Sequence, residues 1–166
     1  MDAEGAAAVA HAASGRPEAA VPLFEALAHR PDLDMTANGP FQLPTWVRTL
    51  IDLGELDLAE RLAANLATTN PLARHVHVAT DAILAEAHGD HVAALAGYTD
   101  TEQRMHDFTM VVEEAYALLG QGRCLVVLSR PEEAAPVLER ARDMFTTMDA
   151  RPALTEVETL FARIKI

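Results

Sequence analysis

Two similar segments near opposite ends of the chain indicate how it folds. The first is GRPEAAVP, Gly15–Pro22, and the second is SRPEEAAP, Ser129–Pro136. In each segment a proline follows a small turn residue by two positions. Proline suits the first position of a helix, because its missing N–H has no intrahelical partner there. Apolar residues at helical spacing flank both segments, so each segment is expected to join two helices.

Comparable breaks occur at Gly54 and at Gly89. An alanine follows each of the four breaks by five residues, at Ala20, Ala59, Ala94 and Ala134. A small side chain lets two helices cross at short range, and a small turn residue permits the chain to reverse. The breaks therefore predict four antiparallel helical hairpins, which must stack on one another to bury their apolar faces.

The apolar periodicity predicts an all-α protein of nine helices and no confident strand. The expected helices cover residues 3–14, 17–29, 42–53, 55–68, 71–88, 90–106, 110–128, 131–148 and 152–164. We expect one domain over residues 1–166, with hairpin units at about 1–35, 40–70, 71–107 and 109–149 and a capping helix at 152–164. Pro22 and Pro136 lie inside expected helices and should bend their first turns or delay their start.

The composition excludes several classes of protein. The chain has 166 residues, one cysteine and a formal net charge of −12. Binding to nucleic acid needs clustered lysine and arginine, so this acidity argues against such a partner. One cysteine excludes an internal disulfide framework and a cysteine-cluster zinc site. The acidic N-terminus and the lack of a long apolar run predict a cytoplasmic protein without a membrane partner.

The candidate metal-binding and nucleophilic residues have simpler explanations. His75 and His77 point to opposite sides of a helix. His77, Asp81 and His88 share one stripe but extend over about 16 Å, too far for one ion. Cys124 lies among apolar residues and should pack in the core, where burial makes a thiol inert. We therefore expect no catalytic residue, no metal site and no cofactor.

Other polar and aromatic residues also fit structural roles. Asp90 suits the N-cap of the helix that follows it. The pairs Glu113–Glu114 and Glu132–Glu133 fall in first turns of helices, where the helix dipole stabilises negative charge. Trp46 and Tyr98 fall where each hairpin needs bulk, so packing in a core or an interface is expected.

The order of small residue, turn glycine, alanine, aromatic residue and closing proline resembles the tetratricopeptide repeat, with Pro71 at the closing proline. Two longer segments are similar to the helical-repeat C-terminal regions of bacterial signalling ATPases, which include adenylate/guanylate cyclase-domain proteins and LuxR-type regulators. They are ILAEAHGDHVAALAGYTDTEQRMHDF, Ile83–Phe108, and AYALLGQGRCLVVLSRPEEAAPVLERARDMFTTMDARP, Ala115–Pro152. The resemblance implies a right-handed superhelix and a regulatory or partner-sensing role. It does not imply cyclase, ATPase or DNA-binding activity.

In such superhelices the first helix of each hairpin lines a concave groove. The resemblance carries this role to Arg48, Ile51, Asp52, Ile83, Glu86, Tyr116, Leu119, Arg123 and Val126. Two arginines and a tyrosine in an apolar groove can hold a peptide or a partner helix. Packing against the next helix, or a solvated face, accounts for the same residues without a partner. The leading interpretation is a non-enzymatic protein–protein interaction module.

Two other functions stay open. Stacked repeats leave apolar end faces, and the C-terminal segment Phe161–Ile166 ends on isoleucine, which favours a self-association scaffold. An all-α metal-dependent or small-molecule enzyme is the third alternative. Activity or bound metal in the purified protein would support that alternative.

Overall fold

The computed structural model describes residues 3–30, 39–65 and 71–164, which form helices joined by turns. These ranges contain no strand, so the predicted all-α fold class is confirmed. The described helices are α1 (Ala3–Ala13), α2 (Pro17–Ala28), α3 (Gly39–Asp52), α4 (Leu56–Asn65), α5 (Pro71–Ala87), α6 (His91–Asp107), α7 (Val111–Val127), α8 (Pro131–Thr147) and α9 (Arg151–Ile164). No helix in this part of the chain is long and apolar enough to cross a membrane.

Some predicted boundaries lie outside the described ranges. These are the two ends of the first hairpin unit at residues 1 and 35, the end of the fourth helix at residue 68, the end of the second unit at residue 70 and the C-terminal Ile166. The largest difference at a helix start is in α3, which begins at Gly39 whereas the sequence predicted a start at about residue 42. Pro40 occupies the second position of α3, where a missing N–H removes no intrahelical hydrogen bond.

The six described connections between helices share one backbone geometry. Each contains a residue with positive φ, namely Gly15, Gly54, Gly89, Thr109, Ser129 and Asp149. The following residue donates its N–H to a carbonyl five positions earlier, as Asp90 does to Ala85 at 2.9 Å and Met110 does to Met105 at 2.8 Å. This is the Schellman arrangement, which satisfies carbonyls at the end of a helix. All four predicted breaks are therefore helix-ending turns.

Thr109 is a β-branched residue with φ of 58°, a conformation that glycine adopts more easily. We expect Thr109→Gly to raise the free energy of unfolding by about 1 kcal/mol, because it relieves the steric strain of the left-handed region. Urea denaturation followed by circular dichroism measures the change. The matched control is Gly89→Thr, which should lower stability by a similar amount. A loss of stability in Thr109→Gly would contradict this account of the turn.

Local predictions at helix starts are also confirmed. α2 and α8 begin at Pro17 and Pro131. Asp90 caps α6 by accepting a hydrogen bond from the Ala93 N–H at 3.0 Å. Neither helix start is delayed by its internal proline, because α2 and α8 begin at Pro17 and Pro131 and continue through Pro22 and Pro136.

The chain divides into two compact units, Met1–Thr80 (unit 1) and Asp81–Ile166 (unit 2). In unit 1, α1 packs against α2 and α3, and α4 packs against α2 and α3. Its largest fully buried side chains include Trp46, Phe24 and Leu62. Gly5 leaves room for the Trp46 ring, because a Cβ at Gly5 would overlap the indole.

In unit 2, α7 is the central helix and packs against α6, α8 and α9. Its 17 residues include eleven that are buried, among them Leu118 and Leu119. Small residues permit the close crossings: a Cβ at Gly97 would lie 2.8 Å from the Ala82 Cβ. Across both units, each alanine that follows a break by five residues is 0% exposed, namely Ala20, Ala59, Ala94 and Ala134.

Candidate functional site

A polar network centred on Arg123 joins four helices of unit 2. Arg123 on α7 donates from Nε to Glu86 Oε1 at 2.6 Å and from Nη2 to Glu86 Oε2 at 2.8 Å. Its Nη1 donates to Glu156 Oε1 on α9 at 3.0 Å. The Tyr98 hydroxyl on α6 donates to Glu86 Oε2 at 2.6 Å. We call these four residues the Arg123 network.

The network is largely enclosed, which strengthens its electrostatics. The side chains of Arg123 and Glu86 are 27% and 17% exposed. Burial alone would lower the pKa of Arg123, but hydrogen bonding to Glu86 and the Glu86 charge raise it well above its usual value. Burial, together with the Glu86 charge, also raises the pKa of Tyr98 far above the ordinary range. Arg123 therefore stays charged and Tyr98 stays protonated.

The structure thus brings together two of the predicted groove residues, Glu86 and Arg123. It pairs them with each other, so most N–H groups of the guanidinium already have acceptors within the unit. Glu156 was not predicted from the sequence as a site residue, and Tyr98 was predicted only to pack in a core or an interface. A buried tyrosine hydroxyl usually needs a hydrogen-bond partner. The hydroxyl of Tyr98 at an otherwise apolar position was therefore the sequence feature that could have indicated a polar network.

The other predicted groove residues of unit 2 are mainly packing residues. Ile83 is 5% exposed and Leu119 is 0% exposed. Tyr116 packs edge-on against Phe145, with ring centroids 5.1 Å apart. Val126 packs partly buried against the core.

The remaining three predicted groove residues lie on α3 in unit 1. Arg48 Nη2 donates to Thr45 Oγ1 at 3.3 Å. Arg48 and Ile51 are half-buried, and Asp52 is exposed. Their role in partner binding stays a prediction.

A second feature of unit 2 is a cleft of about 430 Å³ between α6 and α8, which we call the α6–α8 cleft. Its central part is lined by Leu95 and Thr99 from α6, Gln121 and Leu125 from α7, and Val137 from α8. Leu125 belongs to the buried core, and Leu95 and Val137 pack partly buried against it. The cleft therefore has an apolar floor that is held in place by the core beneath it.

Charged residues close the cleft at the α7–α8 turn. Arg130, Glu132 and Glu133 line this end. Arg130 Nε and Nη2 each lie 2.6 Å from a Glu133 carboxylate oxygen. Hydrogen bonding to Arg130 lowers the pKa of Glu133, so this carboxylate stays ionised. Glu132 is exposed and forms no ion pair with the described residues.

Gln121 also connects the cleft lining to a neighbouring cluster around Arg140. Gln121 Nε2 donates to Glu102 Oε2 at 3.4 Å. Arg140 Nη2 lies 2.8 Å from Glu102 Oε1 and 3.7 Å from Glu114 Oε1. His106 Nδ1 lies 3.1 Å from the same Glu114 oxygen. The α7–α8 turn end of the cleft therefore contains two carboxylates and one guanidinium group, whereas the residues around Arg140 do not line the cleft.

Cys124 is fully buried, as the sequence predicted. Burial, with a contribution from the Glu86 charge, raises the pKa of its thiol to about 12. We expect this thiol to react with a small disulfide reagent at pH 8 more than about a hundredfold more slowly in the folded protein than in urea, because the thiolate is the reactive form. Absorbance of the released thiolate measures the rate. Comparable rates in the two states would contradict the burial of Cys124.

The described residues contain no group of three or more His, Cys, Asp and Glu side chains that could hold a metal ion. The two candidate functional sites of unit 2 are therefore the Arg123 network and the α6–α8 cleft. The network is internally paired, whereas the cleft is open to solvent at exposed residues such as Thr99 and Glu132. In comparisons with known proteins, no family model matches the chain and no curated protein matches it.

Proposed function

We propose that the chain is a non-enzymatic helical module that binds a segment of a partner protein. The observation that carries this proposal is the α6–α8 cleft, in which Leu95, Leu125 and Val137 form an apolar floor and the α7–α8 turn supplies charged residues. Its volume of about 430 Å³ lies in the range of ligand sites, roughly 300–1,000 Å³. A cleft that runs between two helices suits an amphipathic segment laid along it.

The proposal includes the wider role implied by the tetratricopeptide-like pattern. In this view the chain is a repeat domain of a bacterial regulator and acts in the cytoplasm. Support comes from the Schellman turns and from the buried alanines, which suit stacked hairpins. The α3 residues Arg48, Ile51 and Asp52 remain candidates for a second contact with the partner.

A peptide library tests the proposal. Peptides displayed on phage are selected against the full chain, and their affinities are then measured by fluorescence anisotropy. Val137→Glu, at the half-buried wall of the cleft, should weaken binding more than tenfold. The matched control is Val92→Glu, because Val92 is 68% exposed and does not line the cleft. Failure to select any binder, or equal binding by the two variants, would refute the proposal.

A second candidate function is self-association, which a different surface favours. Phe108, Val111 and Val112 are 49%, 45% and 52% exposed around the α6–α7 turn. Exposed apolar side chains that lie close together mark interaction surfaces. Light scattering over a dilution series should then detect a dimer that Val112→Asp dissociates and Val92→Asp does not. A monomer at every concentration removes this candidate.

A further inference from the structure

We propose that the α6–α8 cleft receives a tryptophan side chain from a basic partner segment, and that the indole N–H donates a hydrogen bond to Gln121 Oε1. This inference rests on the proposed function and specifies the partner of the same site. Three features of the cleft support it, which are the unpaired oxygen of Gln121, the apolar lining around it and the charge at the α7–α8 turn.

The amide of Gln121 has an orientation that its neighbours determine. The residue is 6% exposed, and its Nε2 donates to the Tyr98 carbonyl and to Glu102 Oε2, each at 3.4 Å. Both of these groups are acceptors, so the NH₂ group of the amide and not its carbonyl must face them. The amide oxygen of Gln121 is therefore left for another partner.

This oxygen is an acceptor without a donor in unit 2. No hydrogen bond from a described residue reaches Gln121 Oε1. In the described ranges, the unpaired side-chain polar atoms that are fully enclosed all belong to histidines, so solvent reaches this oxygen. Gln121 lines the α6–α8 cleft, which is open to solvent. A partner group that covers the oxygen must therefore donate a hydrogen bond, because an acceptor that is buried without a donor destabilises the complex.

The surroundings of Gln121 favour a large apolar group with a single donor. Leu95, Leu125 and Val137 form an apolar floor. The Thr99 hydroxyl donates to the Leu95 carbonyl at 2.8 Å, so its proton is already used. Tryptophan combines a large apolar ring with an N–H that only donates, whereas the tyrosine hydroxyl also accepts. The cleft volume of about 430 Å³ exceeds that of one tryptophan side chain.

The α7–α8 turn adds negative charge to the same cleft. Arg130 is paired with Glu133 through two contacts of 2.6 Å, whereas the exposed Glu132 forms no ion pair with the described residues. A basic residue beside the tryptophan would meet a complementary charge there, and an acidic one would be repelled. The net charge of −12 on the whole chain also attracts a basic segment before contact.

Three dipeptides test the inference on the full chain. The reference is acetyl-tryptophanyl-lysine amide. In the second, benzothienylalanine replaces tryptophan, which puts a sulfur atom where the indole has its N–H. In the third, glutamate replaces lysine. We expect the reference to bind about tenfold more tightly than the benzothienyl dipeptide, which cannot donate to Gln121, and about fivefold more tightly than the glutamate dipeptide.

Nuclear magnetic resonance titrations measure these affinities. The chain is labelled at its leucine and valine methyl groups, so the shifts of Leu95, Leu125 and Val137 show whether the dipeptide occupies the cleft. The comparison between the tryptophan and benzothienyl dipeptides uses the unchanged chain, so it does not depend on the folding of any variant. Equal affinities for these two dipeptides would overturn the hydrogen bond to Gln121.

Matched variants locate the hydrogen bond. Gln121→Met removes the acceptor at similar side-chain size, so this variant should bind the tryptophan and benzothienyl dipeptides equally. The control is Gln103→Met, an exposed residue of α6 that does not line the cleft, and it should keep the difference of about tenfold. Circular dichroism checks that both variants are folded. A difference that persists in folded Gln121→Met would overturn the assignment to Gln121.

A second pair of variants locates the charge preference. Glu132→Gln should make the lysine and glutamate dipeptides bind with nearly equal affinity. The control is Glu139→Gln, an exposed residue of α8 that does not line the cleft, and it should keep the difference of about fivefold. The same result in both variants would overturn the role of Glu132.

The failure of this inference can be distinguished from failure of the proposed function. Library peptides that lack tryptophan but still bind, together with no methyl shift from the reference dipeptide, would overturn the inference and leave partner binding in place. If the library yields no binder and the reference dipeptide causes no shift, both proposals are wrong.

Discussion

Replacing Arg123 with methionine is expected to lower the free energy of unfolding by about 3 kcal/mol. The methionine would leave the Glu86 carboxylate, which is 17% exposed, without its cation. It would also remove a neighbour of the buried Tyr98 hydroxyl, 3.4 Å from Arg123 Nη2. A largely enclosed charge that loses its ion-pair partner destabilises a protein more than the loss of a surface ion pair does. Urea denaturation monitored by circular dichroism measures the change.

Two further variants make this result interpretable. Arg130→Met removes an arginine of similar pairing geometry from an exposed site, so the urea midpoint should stay unchanged within error. Adding Glu86→Leu and Tyr98→Phe to Arg123→Met should restore most of the lost stability, because the unpaired carboxylate and the hydroxyl that donated to it are then both gone. A loss below about 1 kcal/mol in Arg123→Met, or no recovery in the triple variant, would contradict the network's structural role.

Replacing Gly120 with alanine is expected to lower the free energy of unfolding by about 2 kcal/mol. Helix propensity alone predicts the opposite sign, a gain of about 1 kcal/mol. The structural reason is that a Cβ at Gly120 would lie 2.5 Å from the Tyr98 ring. This ring cannot move aside easily, because its hydroxyl is held by Glu86 at 2.6 Å. Urea denaturation measures this difference as well.

The Tyr98→Ala background tests whether the ring causes the loss. Without the ring, Gly120→Ala should be neutral or stabilising, since only the helix propensity remains. The thermodynamic cycle of the two changes then gives the coupling between the two residues directly. If Gly120→Ala still lowers the free energy of unfolding in the Tyr98→Ala background, a contact other than the Tyr98 ring causes the loss.

The helices could be predicted well from the sequence because residues close to each helix end determine where the helix begins or stops. In unit 2 the observed α6, α7 and α8 agree with the predicted ranges to within one residue at each end. Glycine and serine at the predicted breaks end the preceding helix, and proline at the first helical position starts the next one. Each effect depends only on residues within one helical turn. The turns at Thr109 and Asp149 have the same geometry, but threonine disfavours positive φ and aspartate adopts it only in a minority of cases.

The candidate site was predictable only in part. Glu86 and Arg123 were singled out individually, but their pairing joins positions 37 residues apart and depends on how the fold brings the two side chains together. The acidic pair Glu113–Glu114 was predicted at a helix start, and it lies in the first turn of α7. Its burial, at 6% and 7% exposure, arises from neighbouring helices and so escapes any local pattern. The α6–α8 cleft has the same origin, because three helices supply its walls.

The central position of α7 affects the order in which the helices of unit 2 unfold locally. Helix α7 packs against α6, α8 and α9, and α7, α8 and α9 each contribute four of the twelve buried residues of the core. Its amide protons can exchange with solvent only when several neighbours detach together, so they should be the slowest in the unit. Detachment of α9 alone would uncover part of that core, so thermal fluctuations should begin at the C-terminal helix and reach α7 last.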